Sequence, residues 1–296
     1  MAMTEARLKY EDGELRLSDG RILAWRWWGE PTWAPVLRLQ GTPGSRVGLN
    51  PHPEVQRALG VRYLMVDRPG FGGSTRLPGR NVAGFADDLV ALLDHHGLER
   101  VPVVGGSGGG PHALAIAARH PNRVAAVSVV VGFAHIDADE ARRLIGVNAA
   151  GYAAAELGWE ANYRLSVEAR TSMLGEGGVA NTLSDAGDSD KAFLLDPSWR
   201  RVAQASISEA LRDGAEGWTD ENMALHRDWG FELDEVQTTV TWWHGDDDMN
   251  VPLSAAKRAA ARLRRVDFRV WHGEGHLAPT LHQAEIIEEL LSRSDL

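Results

Sequence analysis

The stretch VVGGSGGGPHAL, residues 103–114, packs five glycines around one serine directly after a short apolar run. A loop of this composition either cradles a phosphate or mounts a reactive hydroxyl. A phosphate loop of the GxxxxGK[ST] type needs Lys and then Ser/Thr after its last glycine, but Pro111 and His112 follow Gly110. A dinucleotide fingerprint begun at Gly106 puts Pro111 where Gly or Ala should pack on the strand. The third template fits. Gly105-Gly106-Ser107-Gly108-Gly109 reads G-x-S-x-G between an expected strand and an expected helix, the setting in which a serine is held on a turn too sharp for bulky neighbours. The Gly108 N–H and the positive end of the following helix then lie where an oxyanion would form.

The surroundings support a parallel sheet. APVLRLQG (34–41), VRYLMVDRPG (61–70) and VPVVGG (101–106) are apolar runs ending in glycine loops, and VAAVSVVVG (124–132) is a continuous apolar run suited to a strand covered on both faces. Residues 84–97 and 111–121 have helical spacing between them. The alternation resumes at 238–245 and 267–273, with helices expected at 255–264 and 281–294, while 14–28 reads as a hairpin turning at Ser18-Asp19-Gly20. Residues 134–235 differ. They have almost no β-branched runs and read as helices at 138–156, 160–174, 198–212 and 219–227, with a polar, glycine-bearing loop at 175–190. The expected organisation is a core at 1–133 and 236–296 with a helical insertion at 134–235.

A serine needs a base, and the base needs an orienting acid. HGDDDMNVP (244–252) and HGEGHLAP (272–279) follow the two late strands, so an acidic loop and a histidine loop come after the serine in that order. These motifs resemble the α/β-hydrolase superfamily over nearly the whole chain. The family pattern H-G-x-x-D-x-x-V-P selects Asp248, and G-x-G-H-L selects His276. QGTPGSR (40–46) resembles the H-G-x-P-G-S loop, which supplies a second oxyanion N–H, here from Thr42. DRPGFGGS (67–74) resembles D-x-x-G-x-G-x-S. The resemblance implies an α/β-hydrolase fold with a helical cap, Ser107 as nucleophile, His276 as base, Asp248 as its acid, and backbone N–H groups of Thr42 and Gly108 as the oxyanion hole. Gln40 stands where the family usually has histidine. Asp137 is a possible alternative acid and His272 a rival base. Trp159, Trp199, Trp218, Trp229 and Phe193 read for the most part as ordinary core packing, and as a group they also suggest an apolar lid and a greasy acyl substrate. The same triad also serves carbon–carbon bond hydrolases, perhydrolases, lyases and acyltransferases, and a hydrolase scaffold that only binds ligand is a further alternative.

Composition narrows the partners. With 31 basic and 41 acidic residues the net charge is −10, which disfavours nucleic acid and anionic membrane. No cysteine is present, which excludes disulfides, thiolate catalysis and Cys-ligated metals. The run Asp246-Asp247-Asp248 lacks calcium-loop spacing, so neither metal nor cofactor is expected. No apolar run approaches the roughly 18 residues of a membrane span, and the charged N-terminus does not read as a secretory signal. The expectation is a cytoplasmic enzyme, monomer or homodimer, acting on a small acyl substrate.

Overall fold

The computed structural model describes residues 8–142, 144, 146–183 and 187–294. The chain opens with an antiparallel hairpin, β1 (Tyr10–Arg16) and β2 (Ile22–Trp28), followed by β3 (Ala34–Leu39), α1 (Glu54–Leu59), β4 (Val61–Val66), α2 (Ala86–His95), β5 (Val101–Gly106), α3 (Gly109–Arg119) and β6 (Val124–Val130). Helices α4 (Ala138–Ala141), α5 (Gly146–Leu157), α6 (Trp159–Leu174), α7 (Asp188–Leu195), α8 (Pro197–Ala210) and α9 (Glu216–His226) then run without a strand among the described residues. The sheet is completed by β7 (Val240–Gly245), α10 (Leu253–Ala260), β8 (Val266–Trp271) and α11 (Gln283–Ser292).

Among the described residues the strands form one sheet of eight in the order β1-β2-β4-β3-β5-β6-β7-β8. β2 pairs antiparallel with β1 and β4, and every pairing from β4 through β8 is parallel. Side chains that alternate along a strand enter opposite layers. Thus Val127 and Val129 of β6 join the core beneath α2 and α3, while Ala126 and Val130 join the core beneath α11. All seven β6 residues are buried, as a strand with helices on both faces requires.

The hairpin, the alternating strands and the helical stretch follow the sequence pattern, with two differences. The helix expected over 138–156 breaks into α4 and α5. The 175–190 stretch holds a 3₁₀ turn at Gly178–Leu183 and the start of α7, so its C-terminal part is helical rather than looped.

Candidate active site

Four loops at the C-terminal edge of the parallel strands make the site, the position open α/β sheets use for ligands. Ser107 follows β5 with φ of +51°, a left-handed conformation costly for a residue with a side chain. The turn survives because its neighbours lack Cβ atoms. A Cβ on Gly105 would lie 2.4 Å from the Gly109 carbonyl oxygen, and one on Gly109 would lie 2.2 Å from that of Leu39. The Ser107 N–H donates to Val130 O at 3.0 Å, tying the turn to β6.

His276 comes from the loop after β8. Its Nε2 lies 3.0 Å from Ser107 Oγ and its Nδ1 2.8 Å from Asp248 Oδ2. Asp248, on the loop after β7, is buried, and its Oδ1 accepts N–H groups of Asn250 and Val251 at 2.8 and 2.9 Å. The fold thus brings together the three residues that the motifs single out, across 169 and 28 positions of sequence. Burial pushes the His276 pKa down, but the charge and hydrogen bond of Asp248, with the charge of Asp190, more than offset it and leave it raised. Burial pushes Asp248 up; the neighbouring His276 and His244 and the loop N–H donors outweigh it and leave it lowered. His244 itself sits buried with Nε2 2.9 Å from Val251 O, and burial lowers its pKa.

The alternatives are committed elsewhere. Asp137 caps α4 by accepting the N–H groups of Asp139 and Glu140. His272 is 86% exposed and pairs with Asp246 at 2.8 Å.

Thr42 and Gly108 lie against each other. A Cβ on Gly108 would stand 2.3 Å from Thr42 Oγ1. Among the described residues neither backbone N–H has an acceptor. The Thr42 hydroxyl accepts from Arg68 at 2.7 Å and donates to Glu221 Oε1 at 3.2 Å. Arg68 also donates to the Gln40 and Gly41 carbonyls. Glu221 of α9 lies fully buried against Arg68, Arg80 and His112. Burial favours its neutral form, but the two guanidinium charges prevail and hold it well below the usual carboxylate range. With one carboxylate and two guanidiniums, and with burial lowering His112, the cluster carries net positive charge under the 40–46 loop. Gln40, in place of histidine, donates to Val66 O at 2.8 Å and keeps the loop on β4.

Sequence reading missed two contributors. Glu221 is an unremarkable glutamate in a helical pattern, and Asp190 lies in the stretch read as a loop. Asp190 is 1% exposed and accepts N–H groups of His276 and Leu277 at 3.0 and 2.8 Å.

A cavity of about 350 Å³ opens on Ser107, Thr42, Gly108 and His276. Its wall includes Phe133, Leu165, Met173, Ile207, Trp218 and Leu225, largely from the helices between β6 and β7. Trp218 is the one member of the expected aromatic lid that reaches it. Trp229 packs in the main core, Trp159 stacks on Tyr163, and Trp199 meets Phe193 beside a different cavity. Among the described residues no group of three or more His, Asp or Glu side chains is placed to hold a metal ion, and no helix is long and apolar enough to cross a membrane.

Comparison with known proteins agrees with this architecture. RutD of Caulobacter sp. (strain K31), named as a candidate carbamate hydrolase, is 27% identical over 252 residues, covering 80% of this chain and 84% of RutD. A non-heme haloperoxidase of Rhodococcus erythropolis is 23% identical over 281 residues, covering 93% and 96%. Among solved structures, a thermophilic esterase from Thermogutta terrifontis superposes with a TM-score of 0.67 at 21% identity, covering 97% of this chain and all of that one. At that identity the superposition speaks for the fold alone. The sequence profile of the alpha/beta hydrolase fold matches residues 34–282, from β3 to the start of α11, and the chain belongs to that family.

Proposed function

We propose that the protein is a serine hydrolase of carboxylic esters or related acyl compounds, working through an acyl-enzyme. The carrying observation is the unbroken chain from Ser107 Oγ through His276 to Asp248, at 3.0 and 2.8 Å. In this reading His276 Nε2 takes the Ser107 proton as the hydroxyl attacks a carbonyl carbon. Asp248 fixes the proton on Nδ1 and stabilises the imidazolium. The N–H groups of Thr42 and Gly108 bind the oxyanion, a contribution worth about 2.7–4 kcal/mol per donor. His276 then protonates the leaving group, and water, deprotonated by the same imidazole, releases the acid. The residues 134–235 act as a cap over the serine. Their apolar wall favours an apolar acyl or leaving group.

The carbamate chemistry named for RutD and the ester chemistry named for the Thermogutta enzyme share attack on a carbonyl bearing a leaving heteroatom. Assay of p-nitrophenyl esters, aryl carbamates and vinylogous diketones separates this proposal from carbon–carbon hydrolysis. Ser107→Ala should lower turnover on the order of a millionfold and abolish labelling by an organophosphonate. Wild-type turnover by that folded variant excludes the acyl-enzyme route.

A further inference from the structure

Arg38 of β3 faces the layer beneath α11, where its strand neighbour two residues earlier, Val36, is fully buried. Its guanidinium lies 5.3 Å from the centre of the Tyr63 ring. Among the described residues it has neither a hydrogen-bond nor an ion-pair partner. Arg38 is half-buried, and an arginine cannot discharge by losing its proton, so its guanidinium is left to water or to an anion entering the cavity it lines. Burial disfavours the charge, and only Tyr63 opposes that effect.

The side chain lines a cavity of about 150 Å³ in which it is the one ionisable group besides the Tyr63 phenol. The other polar groups are amides and hydroxyls. Gln283 donates to the Tyr63 hydroxyl at 3.2 Å and accepts from Asn50, which holds this set in a fixed array. Gln40 Oε1 is buried without a hydrogen-bond partner beside it, an acceptor suited to a water that can in turn donate to the anion. Gly41 and Gly106 close the end nearest Ser107, whereas Ser107 itself belongs to the separate 350 Å³ cavity.

We propose that this cavity is a binding site for a small monovalent anion, a carboxylate of acetate size or a halide, held by the Arg38 guanidinium. The planar fork of an arginine matches a carboxylate with two parallel bonds and still attracts a spherical anion by charge. The volume admits such a group and excludes a large acyl chain. Access runs from an outer cavity of about 640 Å³, which shares Asn50, Trp199, Thr280 and Gln283 with it. Of the four carboxylates lining that outer cavity, three are engaged, Asp196 with His52 and the start of α8, Glu274 with His282, and Asp190 with the His276 loop; Glu54 is the fourth, at the first turn of α1. The site does not depend on the hydrolase reading.

The test is thermal unfolding of the full chain at fixed ionic strength, titrated with acetate, formate or bromide, for wild type, Arg38→Met and Arg38→Lys. Bromide-soaked crystals read by anomalous scattering accompany it. Wild type should show a saturable rise of about 5 °C at an anion concentration a hundredfold above Kd. Arg38→Met, an apolar side chain of similar length facing an apolar layer, should fold and lose the rise. Arg38→Lys should keep a bromide response and weaken the carboxylate one. A response to acetate and formate alone identifies a carboxylate source, and one to bromide alone an inorganic source; either supports the site. No saturable rise in wild type with any of the three anions, or the same rise in Arg38→Met, overturns it, as does bromide seated away from Arg38 in the crystal where solution shows a bromide response.

Discussion

Asp190 accepts the backbone N–H of His276 at 3.0 Å, so a carboxylate from the helical insertion holds the loop that carries the candidate base. The N–H of Leu277 donates to the other carboxylate oxygen at 2.8 Å, and a Cβ on the preceding Gly275 would lie 2.6 Å from Asp190. The loop therefore has no room to slide. Asp190→Ala removes both acceptors and should lower kcat by about a hundredfold, the scale of an ångström of misplacement, with a smaller effect on KM. It also removes a negative charge that favours the protonated imidazole, so the acid limb of the rate profile should move to lower pH. Steady-state kinetics across pH on the variant checks both. An unchanged kcat together with an unmoved limb contradicts the positioning role.

The pH dependence of the wild type follows from the same charges. The neutral imidazole is the competent base, and it is lost as pH falls through the His276 pKa. Burial pulls that pKa down, but Asp248 and Asp190 lift it above the ordinary value of 6.5. The acid limb of kcat/KM should accordingly lie above pH 6.5 rather than below it. Asp248→Asn takes away the largest lifting influence and the correct tautomer together. It should move the limb down and cost about 10⁴ in kcat. A limb below 6.5 in the wild type contradicts the electrostatics described.

What the sequence revealed and what it hid divide along a physical line. Ser107, Asp248 and His276 stand on loops after strands, and each lies in a short motif with glycines at places where a Cβ would not fit. Local constraints of that kind are written in neighbouring letters. Asp190 and Glu221 act through partners 86 to 141 or more positions away, with no local turn to mark them. Residues 175–190 read as a loop because Gly, Asp and Ser dominate them. Helix α7 forms there, with its buried Asp190 anchored by tertiary contacts with the His276 loop. The aromatics divide for a related reason: tryptophans fill any large apolar space, and of the five singled out Trp218 faces the serine cavity while the others pack elsewhere.

Glu221 should be a stability determinant as well as a support for the Thr42 loop. Arg68, Arg80 and Glu221 are all at most 1% exposed in their side chains. Glu221→Gln leaves two buried guanidiniums facing a neutral amide. Breaking such a cluster from one side costs about 3–5 kcal/mol, which urea unfolding at neutral pH measures directly. The residual folded enzyme should show a lower kcat, because the neutral amide holds Arg68 and the Thr42 loop less firmly and sets an NH2 donor against one of the donors that the carboxylate satisfies. A variant as stable as wild type shows that the cluster carries no net stabilisation.

Gly151 offers a handle on substrate size. It lies within α5, lines the serine cavity, and among the described residues a Cβ there would meet nothing within 4 Å. A helical glycine gives up about 0.5–1 kcal/mol relative to alanine through backbone entropy. Gly151→Ala should therefore raise stability by about that amount while taking one methyl's volume from the cavity. Gly151→Leu should take several times more and shorten the space for an acyl or alcohol chain. Across an ester series of increasing chain length, kcat/KM of the leucine variant should hold for short chains and fall for long ones. One methylene in an apolar pocket is worth about 1–3 kcal/mol of discrimination, so the break should be visible within two or three carbons. A uniform loss at every length would place the substrate chain away from α5.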